Sequence, residues 1–215
     1  MSPGAATRRA GRHAVSGERK VVTILFADIV NSTRVIEDVD PEQAVARLQP
    51  VLDAMTAAVH TYDGIVSSVM GDGVLALFGA PVAHEDHAVR AAYAALDMLA
   101  DVRAATDGTI DIRVGVHTGE VLLRTIETDL SRDYTALGPA VHLASRMERM
   151  AGPGQALLTA HSARLTQGFV ETECLGAMPV RGFDEPFEVH RLVRRTGVVA
   201  VPSADPAAAR GVGRP

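Results

Sequence analysis

Apolar residues change their spacing several times along this chain, and each change predicts an element. Val21–Ala27 is a short run of β-forming residues that ends in a polar loop, the pattern of a buried strand. Pro41 opens a helix, because Ala44, Val45, Leu48, Leu52, Met55 and Val59 then recur at helical spacing up to His60. Gly64–Met70 and Val74–Phe78 read as strands on either side of Gly71-Asp72-Gly73, an Asp-Gly hairpin signal. A second helix is predicted from about His84 to Val102, with Glu85 and Asp86 in its first turn, where the helix dipole favours acids. Ile110–His117 and Glu120–Ile126 read as a strand pair around Thr118-Gly119. Gly138–Met150 is helical and stops at Gly152-Pro153-Gly154. Gln155–Leu158, Phe169–Leu175 and Phe187–Val193 complete the strands, with a short helix near His161–Leu165. The order βαββαββαβαββ predicts an α+β sandwich, helices packed over a largely antiparallel sheet.

Composition narrows the class. The chain has 215 residues, 47% hydrophobic and only 4% aromatic, so its core is expected from aliphatic residues and Met. This is one sizeable domain rather than two. No apolar run approaches the roughly 20 residues of a membrane span, and no signal-peptide core follows the N-terminal arginines. Cys174 is the single cysteine and has no partner in sequence, which fits a reducing compartment and a small core residue. The expectation is a cytoplasmic protein without a membrane partner.

Charge marks the edges. Residues 1–20 carry a net +4 and residues 194–215 a net +3, so the formal total of −5 leaves −12 on 21–193. An acidic body lacks the basic face that nucleic acid requires. Both ends are rich in Ala, Gly, Pro and Arg without hydrophobic period. The domain is placed at 18–194, between tails 1–17 and 195–215 expected to be disordered.

Two constellations carry candidate chemistry. In Phe26-Ala27-Asp28-Ile29-Val30-Asn31-Ser32-Thr33, a carboxylate at a strand end precedes a polar turn into a helix. Such a carboxylate holds a hard cation while the turn amides face phosphates; equally, Asp28 or Asn31 simply caps the helix. In Ser68–Gly79, Asp72 sits at a hairpin tip, which by itself needs no function. The pair of strand-end carboxylates favours two shared Mg²⁺ ions, the arrangement used to move phosphoryl groups. His84-Glu85-Asp86-His87 lacks zincin spacing, and His117 is expected to pack or hydrogen-bond at a turn.

These segments resemble the class III adenylyl and guanylyl cyclases. Phe26–Thr33 is similar to their F-x-D-I-x-G-F-T motif and Ser68–Gly79 to K-x-x-G-D-hairpin-F-G. Arg113–Gly119 is similar to R-x-G-[IL]-H-x-G, and Tyr134–Met147 to Y-[DT]-x-x-G-x-x-V-N-x-A-x-R. The match runs in order over about 18–193. Glu18-Arg19-Lys20 and Phe78-Gly79-Ala80-Pro81 look closer still to a bacterial subgroup in which an ATPase module often follows. No Walker A sequence occurs, so that module is expected to be absent and any ATPase or regulatory partner separate.

The resemblance implies a ferredoxin-like βαββαβ core with additional strands, working as a head-to-tail homodimer on ATP or GTP. It implies two Mg²⁺ or Mn²⁺ per site, held by Asp28, Asp72 and the Ile29 carbonyl. The amides of Asn31, Ser32 and Thr33 would bind the triphosphate, Arg181 its terminal phosphates, and Arg146 of the second chain the transition state. The sequence departs from the family where the base is read. The purine-reading lysine falls at Ser68, and the only lysine of the chain is Lys20. The purine-reading aspartate falls at Thr135, the ribose-orienting asparagine at His142, and the motif glycine at Asn31. Two readings follow: a cyclase with weak or altered activity, or a nucleotide-binding, dimerising regulatory module. A diguanylate cyclase would need a Gly-Gly-Asp/Glu-Glu-Phe turn, which Met70–Val74 is not.

Overall fold

The spine of the fold is β1 (Gly17–Ile29), which is largely buried on both faces from Val22 onward. The computed structural model of the chain describes residues 17–33, 37, 39–127 and 132–197. After β1 come α1 (Pro41–Thr61), β2 (Ile65–Met70), β3 (Gly73–Phe78), α2 (His87–Ala105), β4 (Ile112–Glu127) and β5 (Arg132–Leu137). They are followed by α3 (Pro139–Met150), β6 (Gln155–Thr159), α4 (Ala160–Leu165), β7 (Val170–Met178) and β8 (Phe187–Arg195). The sheet order is β2-β3-β1-β4-β6-β8-β7, with β5 pairing β4 off that path. Only β4 with β6 is parallel among these strand pairs.

Alternation along β1 builds two cores. Leu25, Ala27 and Ile29 face α1 and α2, joining Val51, Met55, Val59, Met98 and Val102 from helical positions one face apart. Val22 and Ile24 face the other way, against Ala140 and Ala144 of α3 and Val121 and Leu123 of β4. A third cluster joins Leu143 and Met147 of α3 to Leu157, Val180 and Val189. Asp40 caps α1 by accepting from Glu42 N at 3.1 Å, and Pro41 fills the first turn where no donor is needed.

The order of element types is as the pattern predicts, but one strand pair is not where it was expected. Ile110–His117 and Glu120–Ile126 do not fold back on each other: Ile112–Glu127 is one strand of 16 residues. The physical reason is β1, which pairs with it without interruption from Gly17↔Arg124 to Ile29↔Ile112, Val22↔Gly119 and Thr23↔Thr118 included. The return strand is β5. His117 is accordingly in mid-strand, not at a turn, and its Nδ1 lies 2.8 Å from Thr159 Oγ1.

Two further expectations are corrected. α2 begins at His87, so Glu85 and Asp86 are outside its first turn. The Asp86 carboxylate instead accepts from Arg90 Nε at 2.7 Å, and Arg90, almost fully buried, also pairs with Asp63. Cys174 is exposed rather than in the core, because β7 ends the sheet and turns that residue to solvent.

Most of both expected tails lies outside the described residues. Of their described residues, Gly17 opens β1 and Arg195 closes β8, the latter pairing with Asp97 at 2.5 Å over the Tyr93 ring. No helix among the described residues is long and apolar enough to cross a membrane.

Candidate active site

Asp28 stands in β1 one residue before the strand ends, directly opposite Gly73 in β3 and Arg113 in β4. Gly73 leaves the space the carboxylate uses: a Cβ there would meet Ala27 O at 3.0 Å and Asp28 Oδ1 at 3.1 Å. Asp72, on the β2–β3 turn, is joined to the same strand end, because its carbonyl accepts from Ile29 N at 3.3 Å. Its carboxylate has no hydrogen bond or ion pair among the described residues. The sheet thus brings the two carboxylate-bearing residues to one rim.

Beyond Ile29 the chain turns sharply. Val30 N donates to Asp111 O at 2.9 Å, and Asn31 adopts φ 55°. That left-handed conformation explains why asparagine can stand where the family has glycine, since Asn tolerates it better than other side chains do. Ser32 is half-buried and Thr33 exposed, directly after this turn.

A cleft of about 490 Å³ opens beside Asp28, lined in part by Phe26, Met70, Arg113, Ser145, Glu148 and Arg149. Sequence reasoning missed the centre of it. Arg113 Nη2 donates to Asp28 Oδ2 at 2.8 Å, while Arg113 Nε lies 2.5 Å from Glu148 Oε1. The second contact is close but not aligned as a hydrogen bond, so Glu148 holds Arg113 by charge. Burial pushes the Glu148 carboxyl above its usual range; Arg113 partly opposes this and Asp28 adds to it. Burial lowers the Arg113 pKa, but Asp28 and Glu148 outweigh it and the net shift is upward. Gly115 makes the cluster possible: a Cβ there would stand 2.0 Å from Glu148 N and 2.4 Å from Ala144 O, so α3 seats directly on β4. A glutamate on the apolar stripe of α3, beside Ala144 and Met147, was the available signal.

The other expected residues lie on β2, β5, α3 and the β7–β8 connection. Ser68 lies half-buried on β2 at a register irregularity, and Thr135 is half-buried on β5. Ser67 Oγ donates to Tyr134 O at 2.6 Å and ties those two strands together. His142 and Arg146 sit one turn apart on α3, His142 exposed and Arg146 half-buried, and neither lines the Asp28 cleft. Arg181 is exposed on the β7–β8 connection, beside Val180, which packs against α3; it too is absent from that cleft. One chain therefore gathers Asp28, Ile29, Asp72 and the Asn31 turn, and leaves Arg146, His142 and Arg181 outside.

A donor set of two carboxylates and a strand-end carbonyl suits a hard divalent cation. The space beside Asp28 that a Cβ at Gly73 would fill, and the unpaired Asp72 carboxylate, fit such an ion.

The family model described as the adenylate and guanylate cyclase catalytic domain matches residues 15–193. Adenylate cyclase 1 of Rhizobium meliloti is 30% identical over 184 residues, covering 81% of this chain and 28% of that protein. Guanylate cyclase soluble subunit beta-2 of Rattus norvegicus is 34% identical over 178 residues, covering 80% and 26%. Among solved structures, the adenylyl cyclase CyaB from P. aeruginosa superposes with a TM-score of 0.79 at 25% identity, covering 86% of this chain and 100% of that one. The guanylate cyclase domain of RhGC from Catenaria anguillulae, in complex with GTP, gives 0.75 at 27% identity, covering 83% and 99%. The chain spans between a quarter and a third of the length of these two curated relatives. With the motifs, the sheet and the match over most of its length in accord, the chain belongs to the adenylate and guanylate cyclase catalytic domain family.

Proposed function

We propose that this chain is a nucleotide cyclase that converts ATP or GTP into the 3′,5′-cyclic nucleotide and pyrophosphate, at sites shared between two copies arranged head to tail. The observation that carries the reading is the meeting of Asp28 and the Asp72 turn at one sheet rim, with Arg146 of the same chain outside the lining of that cleft. Asp28, Asp72 and the Ile29 carbonyl would hold two divalent cations, Mg²⁺ or Mn²⁺. When bound, these neutralise the triphosphate and make the ribose 3′-hydroxyl easier to deprotonate.

The chain's own residues do the rest. The amides of Asn31, Ser32 and Thr33 hold triphosphate oxygens at the turn, and Arg181 adds charge at the terminal phosphates. The 3′-oxygen forms a bond to the α-phosphorus as the bond to pyrophosphate breaks, and the 3′-proton passes to solvent. Arg146 of a second copy offsets the negative charge that gathers on the phosphorus oxygens. His142 donates one hydrogen bond to the ribose, and Ser68 and Thr135 face the base. Val69 and Met70 on β2, with Leu122 and Leu137 on the β4–β5 arm, are exposed and supply an apolar surface for the second copy. A cytoplasmic setting and a separate ATPase or regulatory partner are part of this reading.

The test is direct. Purified protein is incubated with ATP or GTP and Mg²⁺ or Mn²⁺, and cyclic product is measured. Cyclic nucleotide with matching pyrophosphate is expected; tight nucleotide binding without product would overturn the reading.

A further inference from the structure

We infer that the β7–β8 hairpin carries a second metal site, distinct from the Asp28 rim, for a thiophilic divalent cation of the Zn²⁺ type. Its ligands are Cys174, Glu188 and His190. One ligand atom of each lies within 4.8 Å of the others, on two paired strands.

The hairpin explains how they converge. Cys174 is opposite His190 in the β7–β8 register, and Glu188 lies two residues from His190, so it returns to the same face. An irregularity between Cys174 and Gly176 follows, with Gly176 at φ 84°, a conformation that suits glycine. The imidazole is already oriented: His190 Nε2 is 2.9 Å from Glu188 Oε1, and Nδ1 is 3.4 Å from Thr172 Oγ1. A cation entering between Nε2 and the carboxylate would leave the ring proton on Nδ1, where Thr172 accepts it. That is the outer hydrogen bond a metal-bound histidine commonly makes.

Sulfur, imidazole and one carboxylate form a mixed set that suits Zn²⁺ and is poor for Mg²⁺, which takes oxygen. Binding deprotonates the Cys174 thiol and releases the proton to solvent. Thiolate and carboxylate then balance the two positive charges, and the exposure of Cys174 and Glu188 leaves the fourth position to water. The ion would fasten the edge strand β7 to β8.

Cys174 is the only cysteine of the chain, so a metal–thiolate signal reports this site and no other. The whole chain is titrated with Co²⁺ in excess Mg²⁺, and the thiolate-to-cobalt charge-transfer band and the visible bands of tetrahedral cobalt are followed. One Co²⁺ per chain is expected, displaced by one Zn²⁺. Cys174→Ser abolishes the band. Glu188→Gln, His190→Ala and Thr172→Val each weaken binding by about tenfold or more. Absence of the band in the wild-type chain overturns the site. So does a band whose affinity is unchanged in Glu188→Gln and His190→Ala, since the thiol would then be binding alone.

Discussion

Arg113 and Asp28 are register partners across β1 and β4, and the guanidinium donates to the carboxylate at 2.8 Å. The position expected to hold a cation is thus already faced by one, tethered from behind by Glu148 at 2.5 Å. Arg113 has two seats, one on each carboxylate, so its charge need not leave the cluster when Asp28 takes other ligands.

Asp28→Ala and Asp72→Ala are each expected to lower cyclase activity by about 100-fold or more, the scale of removing one electrostatic element from a closed site. Both residues are at the strand rim, outside the apolar clusters, so thermal midpoints are expected to change little. Product formation at wild-type rates in either variant removes that residue from the site.

Arg113→Met tests the other half of the cluster. Glu148 is nearly buried, and losing its cation leaves a charge that burial already disfavours. Unfolding free energy is expected to fall by about 2–4 kcal/mol, at the lower side of a fully buried pair because Arg113 is partly exposed. Adding Glu148→Gln recovers much of that loss. Urea denaturation of the two variants measures it, and equal stability of Arg113→Met and wild type contradicts the account.

How much of this was legible in the sequence depends on how local the cause was. Asp72 at a hairpin tip follows from Asp-Gly between two apolar runs, and the structure has that turn. The positive φ of Asn31 was not anticipated, although the motif glycine falling at that position was the available signal. The strand break expected at Thr118-Gly119 failed because a small polar pair marks a turn only when no neighbour claims its backbone. Here β1 does, and Thr118 hides its hydroxyl against Thr23 at 2.8 Å. Glu148 and Arg113 meet only through the seating of α3 on Gly115, a contact between segments some thirty residues apart in sequence. Cys174 was misjudged because small and apolar does not say which strand ends a sheet.

Burial pushes the His117 imidazole down to about 4, with His161 adding to the shift. The folded chain therefore binds fewer protons than the unfolded chain between pH 6.5 and about 4. Stability from this group is complete above pH 6.5 and falls as pH drops toward 4, by up to about 3 kcal/mol. His87, also lowered by burial, acts in the same direction. Denaturation midpoints between pH 7 and 4.5 are expected to fall less steeply in His117→Gln than in wild type. Parallel profiles are the outcome against it.

Shared sites make a quantitative prediction for mixtures. Asp72→Ala and Arg146→Ala are each expected to be inactive alone, because every site in either homodimer lacks one of the two residues. After subunit exchange, half of randomly paired dimers are mixed, and each has one intact site, giving about one quarter of wild-type activity. No recovery, or activity in a demonstrably monomeric sample, contradicts sharing.

The last prediction concerns the base. Ser68 is half-buried on β2, and its hydroxyl is too short to reproduce the reach of a lysine; Lys20, the only lysine, is occupied near Pro81 O at 3.0 Å and Glu18. Loss of one charge-assisted hydrogen bond costs about 1.5–3 kcal/mol, or roughly 10- to 150-fold in rate. Wild-type activity is accordingly expected to be weak, with poor discrimination between ATP and GTP and a preference for Mn²⁺. Ser68→Lys raises the rate with ATP, and Thr135→Asp with His142→Asn raises it further. The Ser67–Tyr134 bond joins the strands of the first two positions, so these substitutions are expected to be non-additive. Rates with both nucleotides, measured across all single, double and triple combinations, decide it. Brisk wild-type turnover with sharp ATP selectivity would show that the serine is no handicap, and a triple variant that binds nucleotide yet gains no rate would place the defect outside base reading.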